Sequence, residues 1–170
     1  MTLTECSASG AGNVQMALVA VTNGKVVANT LSMASITFSG RSAITVTGGV
    51  ADFTKLNMDK VTGAVALVNV AGISTSVAVD DSSITDASLG TIPAVFANKA
   101  KRLLVNNTVF SKLTRTSGNG GAIYADLTSA DTITMARCSF SECKTSTTAG
   151  LGGAIYIHLN CNTKVSVILA

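Results

Sequence analysis

The pentapeptide Gly-Gly-Ala-Ile-Tyr stands twice in this chain, at Gly120–Tyr124 and at Gly152–Tyr156, 32 residues apart. Each copy follows a Phe-Ser pair, Phe110-Ser111 and Phe140-Ser141. A repeat at this period marks a chain of stacked units, none of which closes a core by itself. It limits the architecture more tightly than any other feature of the sequence.

Composition narrows the kind of unit. Of 170 residues, 47% are apolar and only 12% charged, about half the usual charged share. The surface must then be covered by Ser, Thr, Asn and Gly, and Val, Ile and Thr suit a pleated sheet where Glu and Lys suit helices. The net charge of +3 is scattered, and its densest group is Lys99, Lys101 and Arg102. A nucleic-acid binder would present a basic stripe with aromatics to stack on bases, so these residues read as a solvated turn. No stretch reaches the roughly 18 apolar residues that span a bilayer. The longest, Val61–Ile73, is interrupted by Thr62 and Asn69. The start, Met1-Thr-Leu-Thr-Glu-Cys6, lacks the basic and apolar segments of a signal peptide, so an export signal is expected outside this sequence.

Aligning backwards from the pentapeptides gives anchor positions Leu3, Phe38, Phe53, Ile84, Phe110 and Phe140, at intervals of 35, 15, 31, 26 and 30 residues. The 15-residue interval is either a short coil or a false match. Gly63-Ala-Val-Ala-Leu67 and Ala94-Val-Phe96 read as weaker copies of the pentapeptide. The best unit contains three short runs, Gly121–Leu127, Thr132–Ala136 and Cys138–Phe140, with Ala122 and Tyr124 on one side and Ile123 on the other. Loops such as Thr116–Asn119 and Thr145–Leu151 separate the runs. The segment Pro93–Leu104 can form a helix with Pro at its first turn. Two strands around a Lys-rich turn fit better, because Leu103–Val105 and Phe110 then share the register of the unit. Stacking such units pairs parallel strands about 4.8 Å apart. The expected fold is an all-β, right-handed parallel β-helix with irregular coils of roughly 26–35 residues. It would hold an inward column of Phe53, Ile84, Phe110 and Phe140 and a second column of Ala64, Ala94, Ala122 and Ala154. Residues 1–170 read as a single segment of a longer repeat protein, best defined over 102–170.

The pairing of Gly120–Ile123 and Gly152–Ile155 with Phe110–Leu113 and Phe140–Cys143 resembles the repeats of polymorphic outer membrane proteins and of similar protist surface proteins. The fourth place of the Phe motif, Asn in that family, holds Leu56, Leu113 and Cys143 here. The resemblance implies a right-handed β-helix displayed on a cell surface, with roles in adhesion or antigenic variation. It implies no catalytic residues, since the motif residues are packing residues.

Four cysteines, Cys6, Cys138, Cys143 and Cys161, suit either two disulfides or small buried side chains in the stack. Cys138 and Cys143 can bridge only if the chain bends after Phe140, and Cys6 and Cys143 appear in equivalent register. Zinc would want Cys-x-x-Cys spacing or several histidines, and only His158 exists, on the same strand face as Tyr156. One histidine gives no catalytic triad. Asp80, Asp81 and Asp86 form the one acidic cluster; on β-helices such clusters serve calcium or acid–base chemistry, and in turns they mimic backbone. Asn106-Asn107-Thr108 is a glycosylation sequon, although Asn106 or Asn107 fits a stacked ladder inside the helix equally well. Thr-x-Thr segments, as at Thr45–Thr47, fall at unrelated phases and form no array. The terminal run Val165–Ala170 reads as a strand with an open edge. These readings lead to a non-enzymatic surface or extracellular β-helix, acting as stalk, adhesin or displayed antigen. Its expected partners are further coils or a capping partner at the C-terminal edge, and a host surface or glycan, with no catalytic residue, cofactor, metal or nucleic acid. The alternative is a polysaccharide lyase or hydrolase on a similar β-helix.

Overall fold

The structure is a computed structural model and describes residues 2–9, 13–14, 18–64, 66–127, 132–146, 151, 153–159 and 166–170. Among them there is no helix. The strands pair in parallel and stack as a β-solenoid of about 5 turns.

Each coil carries three faces. In the coil best seen, they are the strands Val95–Asn98, Arg102–Asn106 and Val109–Arg115. Pro93–Leu104 therefore forms strands around a turn at Lys99, whose φ is 55°, and not a helix. Pro93 precedes a strand and occupies no ladder position, where its missing N–H costs nothing. Two earlier strands, Val19–Ala34 and Ile44–Asp59, run through all three faces without a break. Paired residues lie 24 to 27 apart in the earlier coils, 28 to 30 apart from the coil of Val95 to the next, and 32 to 34 apart at the last. The extra length sits in the loops at Thr116–Asn119, between Leu127 and Thr132, and after Thr145, as a stack tolerates.

The register defines three inward columns. On the first face Val19, Ile44, Val68, Val95, Ile123 and Ile155 lie over one another. On the second the column is Ala28, Phe53, Val79, Val105, Met135 and Leu169. On the third it is Met33, Met58, Ile84, Phe110 and Phe140. Phe110 and Phe140 stack with ring centroids 5.0 Å apart and planes within 1°. Alternation explains the arrangement: Ser76–Asp80 reads intermediate, buried, intermediate, buried, intermediate, which buries Val77 and Val79 and leaves Asp80 outside.

Several expected positions move. Phe53 belongs to the second face and does not stack on Ile84. Leu3 pairs with Ala28 and Phe38 with Val14. The anchor series had mixed three columns, and the 15-residue interval was a false match between two of them. The similar Phe-Thr-Lys-Leu and Phe-Ser-Lys-Leu strings misled because each is an aromatic two residues before a left-handed bend, which occurs at more than one corner. The column at the bend before the first face is Ala43, Leu67, Ala94, Ala122 and Ala154, alanine at every place but Leu67, tied by Leu67 N–H to Ala94 O at 2.9 Å and Ala122 N–H to Ala154 O at 2.8 Å. Ala64 lies outside it, beside Gly90. The strand expected over Gly121–Leu127 begins at Ile123. Ala122 is buried at the bend while Tyr124 faces out, so the two do not share a side. The run expected at Cys138–Phe140 is Ser139–Ser141, because Arg137, with φ 52°, turns the chain just before it.

Two corners repeat in every coil. Between the second and third faces, Thr30, Lys55, Asp81, Asn107 and Arg137 all take positive φ, from 45° to 60°. Within the third face, Ser35, Lys60, Asp86, Lys112 and Glu142 do the same, from 51° to 54°. After the first of these bends, a small polar side chain turns inward and ties back. Ser82 Oγ donates to Asp80 O at 2.6 Å, Thr108 Oγ1 to Asn106 O at 2.7 Å, and Cys138 Sγ to Ala136 O at 3.4 Å. No buried side-chain polar atom among the described residues lacks a partner.

Candidate functional surface

The exterior of the first face is the most differentiated surface of the molecule. The outward residues of the pentapeptide strands lie in register, Phe96 beside Tyr124 and Tyr124 beside Tyr156. Their rings stack at 5.2 Å and 5.3 Å. Two residues further along the same strands, Asn98, Asp126 and His158 form a parallel polar column. His158 Nδ1 lies 3.2 Å from Asp126 Oδ1. Burial raises the Tyr124 phenol above its ordinary value, reinforced by Asp126 and Tyr156 and opposed by Arg115. His158 and Tyr156 thus share a face, as expected; the continuous stack of Phe96, Tyr124 and Tyr156 is a finding of the structure. Its sequence signal was Phe96 standing at the Tyr position of the weak copy Ala94-Val-Phe96.

A second unforeseen residue, Arg115, anchors the loop that opens the pentapeptide. Its side chain is 5% exposed and lies in a column position that Leu89 holds one coil earlier. Among the described residues, no carboxylate pairs with it. Its Nε and Nη2 donate to Thr91 O, and Nη1 donates to Asn119 O and to Gly120 O, the last at 3.0 Å. Burial lowers its pKa, with the Tyr124 phenolate acting in the opposite sense. Gly120, with φ 71°, supplies a carbonyl to this cradle, while Gly121 lets the next coil approach. A Cβ at Gly121 would stand 2.4 Å from Gly153 O. The two glycines of the motif therefore differ: Gly120 is needed both for its left-handed φ and for space, since a Cβ there would stand 2.2 Å from Ile123 O, while Gly121 is needed for space alone.

The acidic cluster does not assemble. Asp80 and Asp81 flank one corner, where Asp80 Oδ1 accepts from Asn106 Nδ2 at 2.7 Å and Asp81 Oδ1 accepts from Asn107 Nδ2. Asp86 sits at the other corner, within the strand Ser83–Leu89. Asp81 and Asp86 are there because Asp tolerates the left-handed region better than most residues. Among the described residues, no group of three His, Cys, Asp or Glu side chains could hold a metal ion.

The sequon is closed by the same ladder. Asn106 Nδ2 is engaged by Asp80, its Oδ1 accepts from Arg137 Nη2 at 2.8 Å, and Thr108 is fully buried. In place of a stacked asparagine ladder inside the helix, Asn106 and Asn107 form amide–carboxylate rungs with Asp80 and Asp81 at an exterior corner. Cys138 and Cys143 are free thiols, half-buried against the core. Burial raises both above the ordinary thiol value, against hydrogen bonds from the backbone that lower them. Cys6 pairs with Leu31, which places it in the column of Leu56, Ser82, Thr108 and Cys138; it is not equivalent to Cys143, which follows Leu113. Cys161 and Gly152 lie outside the described residues. Lys99, Lys101 and Arg102 surround the turn between the first and second faces and form no stripe.

At the last rung, burial weakens. Phe140, Ile155 and Ile157 are only partly covered where Phe110, Ile123 and Ala125 are fully buried. The terminal run forms the strand Ser166–Leu169, paired on Thr132–Met135, and its Leu169 is 62% exposed.

Residues 98–126 match the family model of the Chlamydia polymorphic membrane protein repeat. The match begins at Asn98, passes through Arg102–Asn106 and Val109–Arg115, and ends within the first pentapeptide strand. It covers one coil, including Arg115 and the Asn119 and Gly120 carbonyls of its cradle, so the resemblance read from the pentapeptide holds at the level of the repeat. No curated protein and no solved structure matches the chain.

Proposed function

We propose that this chain is a non-enzymatic β-helix segment of an extracellular or cell-surface protein, serving as stalk, adhesin or displayed antigen. The observation that carries this reading is the match of one full coil to a membrane-protein repeat within a solenoid whose motif residues are occupied in packing. Column residues such as Phe110 and Ala122 are buried, so the repeat specifies a shape and leaves the outward positions free to vary. That division suits display, where the exterior contacts a host surface or a glycan and the interior holds the form.

The partly uncovered last rung is the second element of the proposal. Leu151, Leu159, Ile168 and Leu169 are exposed there, and a sheet edge of unpaired N–H and C=O groups pairs readily. Further coils or a capping partner would cover it. The polysaccharide-cleaving alternative loses its motive, because Asp80, Asp81 and Asp86 divide between two corners and two of them are held by asparagine amides.

Antibodies raised against the purified chain should label intact, unpermeabilised source cells. Labelling that requires permeabilisation would refute surface display. Incubation with pectin, alginate and chondroitin, with and without calcium, should release no unsaturated or reducing ends. Turnover lost in Asp80→Ala or Asp81→Ala would establish the enzyme instead.

A further inference from the structure

We propose that Tyr124 and Tyr156 are an oxidative cross-linking site, at which a peroxide-dependent haem oxidant joins neighbouring coils through a dityrosine bond. The chain contains two tyrosines, and the fold places them on each other. They are a register pair of the parallel strands Ile123–Leu127 and Ile155–Leu159, which fixes their backbones about 4.8 Å apart. The rings face each other at 5.3 Å with 24° between their planes. Both are half-exposed on the exterior, so a surface oxidant reaches their edges. Phe96 extends the stack on the other side of Tyr124 at 5.2 Å, but it has no hydroxyl to oxidise, and coupling is confined to the tyrosine pair.

The chemistry balances with hydrogen peroxide as the oxidant. Each phenol gives up one electron to the oxidised haem and its hydroxyl proton to solvent, leaving a phenoxyl radical with spin density on its ortho carbons. One carbon–carbon bond forms between an ortho carbon of each ring. Each ring then regains aromaticity as its ortho hydrogen leaves and its oxygen is reprotonated. Two electrons and two protons have left the pair, and one peroxide has become two waters. The bond would tie the last rung to the coil beneath it, at the place where the core is least covered.

The test uses the full chain with a haem peroxidase and hydrogen peroxide. The expected product is a monomer on a denaturing gel that carries dityrosine fluorescence and has lost two hydrogen atoms in mass. Its yield per chain should be unchanged on dilution, because the partners are already adjacent. Tyr124→Phe and Tyr156→Phe, which both keep a ring in the stack, should each abolish it. Unfolding in guanidinium before oxidation should lower the monomer yield about tenfold or more, since the folded pair acts at a high effective concentration. Dityrosine found only in covalent dimers would overturn the proposal, as would a monomer yield that survives unfolding.

Discussion

The substitution Gly121→Ala separates packing from propensity. Gly121 has no left-handed φ, so alanine fits its backbone. By itself the change should stabilise the fold by about 0.4–1 kcal/mol, through the unfolded chain's lost freedom. The structure predicts the opposite sign. The new Cβ would stand 2.4 Å from Gly153 O and 2.9 Å from Lys144 N, both backbone atoms that cannot rotate away. The last coil must lift by about 1 Å to reach ordinary contact. That movement disrupts Gly121 N–H to Gly153 O at 2.7 Å and Ala122 N–H to Ala154 O at 2.8 Å. Two such bonds contribute about 2 kcal/mol, and overpacking adds about 1–3 kcal/mol. The net cost is about 2–4 kcal/mol, which is roughly a 30- to 1000-fold change in an opening equilibrium. In a solenoid the loss falls mainly on the neighbouring unit, so amide hydrogen exchange over Ile155–Leu159 is the assay. Gly90→Ala is the control: its nearest atom would be Ala64 O at 3.9 Å, and its protection should hold or rise slightly. If Gly121→Ala protects Ile155–Leu159 as well as the parent does, the close approach of coils is not what the motif's second glycine is for.

Other expectations concern the interior polar groups. Ser82→Ala should cost about 1–3 kcal/mol in urea denaturation, because Ser82 Oγ also accepts Leu56 N–H at 2.9 Å and the amide would be left buried without a partner. Thr108→Val, which orphans no donor, should cost about 1 kcal/mol; equal costs would contradict the assignment. Arg115→Met should destabilise by about 3 kcal/mol by stripping the Thr91, Asn119 and Gly120 carbonyls of their donor, and Arg115→Lys should recover little of it, since an ammonium cannot span the fork. Burial raises the Cys138 and Cys143 thiols and the Tyr124 phenol in the folded state, so the unfolded chain loses these protons first. Stability should hold below the ordinary thiol range and fall as the pH rises through it toward the elevated folded values. Urea midpoints at neutral pH and about pH 10 measure this, and the double variant Cys138→Ser, Cys143→Ser should flatten the decline.

The parallel solenoid was legible in the sequence where the repeat is strongest. Phe110 over Phe140, Ile123 over Ile155 and the two strands within Pro93–Leu104 follow from the pentapeptide spacing and from period-two alternation. Earlier coils were not legible, because an isolated aromatic followed by Thr or Ser and Lys marks a bend and not a particular face. Phe53 stands two residues before Lys55, and Phe110 two before Lys112; both lysines have positive φ, yet they occupy different corners. Only the pairing of whole strands tells the corners apart, and that is a property of three dimensions. The Arg115 cradle was hidden for a related reason. An arginine in an inward position reads as a surface residue until the carbonyls that receive it are known, and those come from Thr91 and Asn119, in different coils.

The corners carry a consequence for how the sequence can vary. A non-glycine residue in the left-handed region costs about 1–2 kcal/mol, and this fold repeats that cost at two corners of every coil, with Asn23 and Lys99 adding a third in theirs. Such strain persists only where the surroundings over-determine the backbone. Here they do: the bends of the inner coils lie between strands paired on both sides, and at the first corner Ser82, Thr108 and Cys138 tie the following residue back to the one before. The side chain at the bend itself points to solvent, so its chemistry is nearly free. That explains why Lys60, Asp86, Lys112 and Glu142 occupy one corner in succession, with opposite charges on adjacent rungs, an order that avoids stacking like charges. A chain built this way can change its exterior corners widely while its columns stay fixed, and variation of that kind is what a displayed surface requires.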